Sequence, residues 1–383
     1  MPRVGVLCDP DFPEYVAKRL AESVPGRLGE QLGDDREWSL EVVCDPVAAG
    51  RSNAQEILQA ARDQRQRNDW DYAVCLTDLP LRFEGSPVLA DIGVDEGIGV
   101  VSLPALGGVQ PLRRAQQMVV QVLDEILGAT EQSQQRPYTQ RRRGLHSTLT
   151  ELLAPIRREN PDRDEIGIRY RATRKRGRVR LLSGMVRSNS PWRLVLGMSS
   201  ALAAALATSA FGLSSSTIWQ ISYQLDVGRQ VVAALASIAL LVFWLITAHQ
   251  LWEKPHQAHD RELRVLYNTS TVLTLALGVG CLYAALFAIN FVVAYFLVPS
   301  SLLASSVQSS AITIGTYATL AWGFTTMGVV AGALGSSLES DQAVRQAAYG
   351  YRESQRRAAH QEDEQNESDH EQNAAHGCKD RDL

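Results

Sequence analysis

The chain has 383 residues, 38 Lys and Arg against 42 Asp and Glu for a formal net charge of −4, and five cysteines. With no CxxC pair and Cys281 inside an apolar run, the cysteines exclude a disulfide framework and fit reduced thiols. The even overall balance conceals segregation: residues 136–193 are strongly basic, the last stretch is acidic, and the middle is apolar.

The first residues, MPRVGVLCDPDFPEY, show no positive region followed by an apolar one. They do not read as a signal peptide, so the N-terminal half is expected to stay on the side of synthesis. Apolar runs then alternate with helix-like stretches. Val4–Cys8, Ser39–Cys44, Tyr72–Leu76, Val88–Ile92 and Gly97–Ser102 read as strands; Glu14–Leu32, Asn53–Arg65 and Gln110–Leu127 read as helices. This alternation predicts an α/β domain with a mainly parallel sheet over residues 1–128.

Cys8-Asp9-Pro10 and Cys44-Asp45-Pro46 each close a strand, and Asp78 follows the third. Ligands of open α/β sheets bind beyond the carboxyl ends of the strands. Asp9, Asp45 and Asp78 are therefore the candidate ligand-binding residues, for a divalent cation or a polar ligand. The plainer reading is that Asp before Pro makes a turn and Asp caps a helix. Cys8, Cys44 and Cys75 read as small buried strand residues. No histidine precedes His146, which removes Ser-His-Asp and Cys-His chemistry from this domain. Neither GxGxxG after the first strand nor GxxxxGK[ST] is present. Gly107-Gly108 could approach an anion through backbone N–H groups.

Leu76-Thr77-Asp78-Leu79-Pro80, then Val100-Val101-Ser102-Leu103-Pro104 and a helix, resembles the strand layout of archaemetzincin-type zinc peptidases over about 50 residues. The helix reads RRAQQMVVQVLDEIL instead of HExxH. The resemblance thus implies a shell without the catalytic metal. No catalytic residue, metal ligand or cofactor is assigned.

Residues 129–192 read as a basic connector. Gly128–Arg143 is polar and linker-like, and Ser147–Ile156 reads as a short helix. Ile166, Ile168 and Tyr170 alternate, a turn follows at Arg174–Gly177, then Val179 and Leu181; this predicts a β-hairpin with a basic tip. Arg174, Lys175, Arg176, Arg178 and Arg180 are the expected lipid-facing cations, drawn to anionic headgroups. Charge alone also attracts nucleic acid, but the cluster abuts the apolar block and aromatics are sparse, so no nucleic-acid partner is expected.

Within residues 193–336 four stretches lack Asp, Glu, Lys and Arg: 194–213, 231–251, 271–298 and 311–334. About 20 apolar residues of helix cross a bilayer core, so four transmembrane helices forming an all-α bundle are expected. Eight cations precede the first stretch, Lys254, Arg261 and Arg264 lie between the second and third, and Arg345, Arg352, Arg356 and Arg357 follow the fourth. The intervening loops hold only Arg229. The positive-inside rule then places both termini in the cytoplasm, and a multi-pass protein of a bacterial plasma (inner) membrane is expected. Scarce lysine beside abundant arginine fits a high-GC bacterial genome.

Trp192, Trp219, Tyr223, Trp252, Tyr267 and Tyr295 fall near span ends, where amphipathic rings prefer the interface. Small residues form stripes at Gly197, Ala201, Ala205 and Ser209, and at Gly315, Thr319 and Gly323, followed by Gly328 to Gly332. They favour a compact bundle and a possible homo-oligomer. Asn290, the one strongly polar side chain deep in a span, bonds helix to helix or lines a pathway, the former being the plainer reading. His249, His256 and His259 read as solvated loop histidines.

Residues 337–383 read as a cytoplasmic helix extension, Leu338–Ala359, and a disordered acidic tail, Gln361–Leu383. His360, His370, His376 and Cys378 could bind metal weakly. From Trp192-Arg193-Leu194 through Ala333-Leu334-Gly335-Ser336 and Ala348-Tyr349-Gly350-Tyr351-Arg352, the chain resembles actinobacterial-type multi-pass integral membrane proteins of unknown function. The expectation is a non-enzymatic membrane protein whose cytoplasmic α/β domain binds a ligand or protein as a sensor or scaffold. The alternatives are a transporter or channel component, and a membrane-bound enzyme using Asp9, Asp45 and Asp78.

Overall fold

The structure, a computed structural model, describes residues 2–32, 37–44, 54–132, 156–160, 166–252, 261–309 and 311–338. The described chain divides into two units, one ending at Ser188 and one beginning at Asn189.

The first unit is an α/β sheet domain. Its elements are β1 (Arg3–Cys8), α1 (Phe12–Leu32), β2 (Ser39–Cys44), α2 (Ala54–Arg67), β3 (Tyr72–Thr77), β4 (Arg82–Phe83), β5 (Ser86–Gly93), β6 (Ile98–Ser102), α3 (Leu103–Leu106), α4 (Pro111–Gln132), β7 (Ile156–Glu159), β8 (Ile168–Ala172) and α5 (Arg174–Ser188). The strand order is β2-β1-β3-β6-β5-β8-β7, with β4 on β5. β2, β1, β3 and β6 run parallel, in the register Val42↔Val6, Val6↔Val74 and Cys75↔Val100. β5, β8 and β7 extend the sheet antiparallel. The sheet is therefore mixed rather than parallel throughout.

β1, β3 and β6 are near-continuous apolar runs because helices cover both faces. α2 packs over Leu7, Ala73, Cys75, Ile98 and Val100. On the other face α4 approaches the backbone closely at Gly99, where a Cβ would lie 2.5 Å from Val122, and α1 packs against α4.

The connector departs from expectation. β8 forms, but the second arm of the expected hairpin is the helix α5. Gly177, Leu181, Gly184 and Met185 are buried, a spacing of four, three and one that belongs to a helix. Val179, whose alternation with Leu181 suggested a strand, is 69% exposed. Two glycines let α5 press onto the domain: a Cβ at Gly184 would sit 2.0 Å from the Pro104 carbonyl oxygen, and one at Gly177 2.9 Å from Ala172. The linker Gly128–Arg143, the helix Ser147–Ile156 and the tail lie largely or wholly outside the described residues.

The second unit is helical: α6 (Arg193–Gly197), α7 (Ser199–Ser214), α8 (Ser216–Gln224), α9 (Val227–Ala248), α10 (Arg261–Leu297), α11 (Ser300–Val307), α12 (Ile314–Gly335) and a 3₁₀ turn, Ser336–Leu338. Three helices are long and apolar enough to cross a membrane: Val227–Ala248, Arg261–Leu297 and the stretch Ile314–Leu338. The first expected span is not one straight helix. The chain breaks at Met198, and α7 and α8 pass the same test only as a pair bent by 92°. The bend sits at Ser215, which takes extended φ/ψ of −110° and 106°.

α7 runs antiparallel along the second half of α12. Added Cβ atoms at Gly328, Gly332 and Gly335 would meet the Ala205 carbonyl at 2.9 Å, the Ala201 carbonyl at 3.2 Å and the Ala204 Cβ at 2.6 Å. Leu241, Leu245, Leu275, Val279, Leu282, Leu286 and Val329 fill the centre of the bundle. Where α10 ends and α12 begins, α8 and α11 build a second core from Trp219, Leu303, Tyr317, Leu320 and Phe324. Large apolar side chains point outward: Leu235 is 61% exposed, Phe243 62%, Val292 61% and Phe296 88%. A water-soluble bundle hides such groups, whereas lipid solvates them.

Candidate functional site

The sequence βαβαβ from β1 to β3 winds outward to β2 and back across β1 to β3. In doubly wound sheets, ligands bind beyond the carboxyl ends of the strands at such a reversal, here the ends of β1 and β3. Cys8 is the register partner of Leu76, so Asp9 and Thr77-Asp78 leave the sheet side by side. Asp9 is 1% exposed and Asp78 6%. The Thr77 hydroxyl donates to Asp9 Oδ2 at 2.8 Å and accepts from the Leu79 N–H at 3.1 Å. The Ser102 hydroxyl, at the end of neighbouring β6, donates to the Leu79 carbonyl at 2.6 Å. The loop Asp78-Leu79-Pro80-Leu81 is thus held at both its N–H and its C=O before any ligand arrives. Burying a carboxylate is costly unless hydrogen bonds or a counter-charge compensate it, and two of them lie here on adjacent strands.

The structure places Asp9 and Asp78 just beyond the ends of the neighbouring strands β1 and β3; Asp45 lies outside the described residues. Among those described, no group of three or more His, Cys, Asp and Glu is arranged to hold a metal ion. Beside Asp9, Cys8 and Cys44 face each other in register. Burial, then the adjoining Cys44, pushes the Cys8 thiol up, and burial raises Cys44 as well. Both therefore favour the protonated, unreactive form. The Glu14 carboxylate, bonded to Lys18 at 2.6 Å, raises the ammonium of Lys18.

Gly107-Gly108 makes a tight turn. The Gly108 N–H is committed to Ser183 Oγ at 3.2 Å, and Arg180 Nε donates to the Leu106 carbonyl at 3.1 Å. Of the basic residues singled out, Arg174, Lys175 and Arg176 are exposed, while Arg178 and Arg180 are half-buried. Asn290 joins three helices: its amide donates to Ser209 Oγ on α7 at 3.1 Å and to Thr325 Oγ1 on α12 at 3.0 Å. His249 is buried at the end of α9; His256 and His259 lie outside the described residues.

Sequence reasoning missed Thr77 and Ser102, which shape the site loop, and a buried ion pair. Arg169 Nε and Nη2 grip Asp91 at 2.7 and 3.0 Å across β8 and β5, and Phe83 lies against the guanidinium at 4.1 Å. The hydroxyls had one signal, their place at strand ends. The ion pair had only a lone acid in the apolar strand VLADIG. Comparison of the chain with family models, with curated proteins and with solved structures finds no match to any of them.

Proposed function

We propose that this is an integral membrane protein whose α/β domain binds a small polar ligand, without turning it over, beyond the carboxyl ends of β1 and β3. The carrying observation is the pair of buried carboxylates, Asp9 and Asp78, at the carboxyl ends of adjacent parallel strands beside a loop pinned by Thr77 and Ser102. A ligand with a cationic or N–H donor edge complements two carboxylates. In this reading four membrane crossings, α6–α8 being the bent first one, hold the domain at the cytoplasmic face of a bacterial plasma membrane. Both termini are cytoplasmic, as the arginine distribution favours.

The test uses the full chain in detergent, screened by thermal shift against Mg²⁺, Mn²⁺ and Ca²⁺, nucleotides, polyamines and amino acids. A ligand at about 100 times its Kd adds roughly 2.7 kcal/mol to the stability of the state that binds it. At least one compound should raise the melting temperature of the wild type and fail with Asp9→Asn and Asp78→Asn. A shift that survives both substitutions would move the binding site elsewhere. No shift from any compound would remove the ligand-binding reading.

A further inference from the structure

We propose that Cys8 and Cys44 are a modification site, a dithiol that small-molecule disulfides convert reversibly to a cross-strand disulfide. This goes beyond the ligand reading and does not depend on it. The thiols are brought together by register. Cys8 and Cys44 are the last residues of β1 and β2 and are direct partners across that parallel pair. Leu7 and Val43, the pair before them, both pack toward α2. Side chains alternate along a strand, so Cys8 and Cys44 share the opposite face. Neighbouring strands lie about 4.8 Å apart, inside the roughly 4.4–6.8 Å between Cα atoms that a disulfide spans. The Cys8 thiol donates to the Val43 carbonyl at 3.7 Å, in the peptide that leads into Cys44. Cys75 is set apart: it is the register partner of Leu7 and faces α2.

The two thiols differ in access, and this orders the reaction. Cys44 is exposed and Cys8 is buried. The Cys44 thiolate attacks one sulfur of the reagent and expels the first thiolate, leaving a mixed disulfide at Cys44. The Cys8 thiolate then attacks Cys44 Sγ and expels the second. One reagent S–S bond and two protein S–H bonds break; one protein S–S bond and two reagent S–H bonds form. The protein loses two electrons and two protons, and the reagent takes up both. Burial holds the proton on each thiol, so exchange at neutral pH is slow, and sulfurs of high basicity also leave slowly. The couple therefore answers a sustained oxidant rather than a brief pulse. Asp9 follows Cys8 and Asp45 follows Cys44, so the bond ties together the two strand ends that carry them.

The experiment uses the full chain in detergent, with Cys281→Ser and Cys378→Ser, and glutathione disulfide as the oxidant at mildly alkaline pH. Trypsin cuts after Arg3, Lys18, Arg36 and Arg51, so Cys8 and Cys44 fall in peptides 4–18 and 37–51, each with no other cysteine. Mass spectrometry without reductant should find these peptides joined, lighter than their sum by two hydrogens, and separated again by dithiothreitol. The rate should be independent of protein concentration and rise about 10-fold per pH unit, as the thiolate fraction does. Cys8→Ala should stop at glutathione carried on Cys44, and Cys44→Ala should leave Cys8 unmodified. An unchanged thermal transition shows that each variant is folded. The proposal is overturned if the parent chain accumulates glutathione on Cys44 without linking, or if neither thiol reacts. It is also overturned if Cys8 is modified as fast in Cys44→Ala, which would make the two thiols independent.

Discussion

Asp91 and Arg169 show what a residue-level argument can settle. Burial pushes the Asp91 carboxyl up, against the guanidinium that favours its charged form. A buried pair of this kind contributes little net stability, yet removing one member strands a charge. Asp91→Ala should therefore cost about 3–5 kcal/mol, read as a large fall in the melting temperature of the full chain in detergent. The double change Asp91→Leu, Arg169→Met should recover most of that loss. A double variant as unstable as the single would mean that the pair is intrinsically favourable. Asn290 differs, because Ser209 and Thr325 also donate to the Ala205 and Ala321 carbonyls of their own helices. Asn290→Ala leaves those hydroxyls satisfied and should cost only about 1 kcal/mol. A collapse of the bundle would show that the junction does more than bond three helices. The two cases differ in how far the sequence announces them. Asn290 is conspicuous as a lone amide in a greasy run, whereas the partner of Asp91 lies 78 positions further on, beyond any local pattern.

Among elements, legibility follows the physics of burial. β1 and β3 are readable to within a residue or so because strands of a covered parallel sheet are continuous apolar runs bounded by turn residues. α5 was not, because its buried face is built partly from glycine. Gly177 and Gly184 are silent in a hydrophobicity pattern, although backbone contact at those positions is what the fold requires. In the bundle the small residues are visible by their spacing, but not all of them make contacts. The stripe Gly315, Thr319 and Gly323 stands out by spacing, yet a Cβ at Gly315 would meet nothing beyond its own Thr313, and Gly323 lies under Ser222 of α8. The close seam with α7 is made by Gly328 and Gly332, which continue that stripe and meet Ala205 and Ala201 of the stripe on the first span, and by Gly335. Gly328→Val should force α7 and α12 apart, since the nearest atom to its Cβ is a backbone carbonyl oxygen that cannot swing away. Overpacking of this kind costs about 1–3 kcal/mol. Gly280→Ala on α10, where nothing lies within 4 Å, should instead gain up to about 1 kcal/mol from helix propensity. Thermal unfolding of both variants in one detergent gives the comparison, and equal melting temperatures would remove the seam from the account of the bundle.

For the whole molecule the open quantity is the number of crossings, and it turns on the bent pair. α6 and α7 together run from Arg193 to Ser214, about 33 Å at 1.5 Å per residue, enough for the hydrocarbon core despite the break at Met198. Neighbours support a full traverse. Leu194 packs on Gly278 of α10, while at the other end of α7 the backbone at Gly212 lies against Phe324 of α12. α8 then turns aside and anchors Trp219 Nε1 on the Gly212 carbonyl at 3.1 Å. A re-entrant segment would return to the side it came from, but α9 begins where α8 ends: Gln230 Nε2 bonds the Ser222 and Leu225 carbonyls. α9 then runs alongside α12 in the same direction, Trp322 Nε1 donating to the Gln230 carbonyl and Trp244 Nε1 to Ser337 Oγ. The described residues hold three helices long and apolar enough to cross a membrane, or four if the bent pair is one span; four crossings predict residues near 189 and 338 on one side and residues near 226 and 309 on the other. Cysteine accessibility in right-side-out and inverted vesicles tests this in an otherwise cysteine-free chain, with single cysteines at Ser183, Asp226, Ser309 and Leu338. Labelling of Asp226→Cys and Ser309→Cys from the same side, opposite to the other two, is the expected pattern. Asp226→Cys labelling with Ser183→Cys would make α7–α8 a re-entrant loop, leave three crossings, and put the two ends of the chain on opposite sides of the membrane.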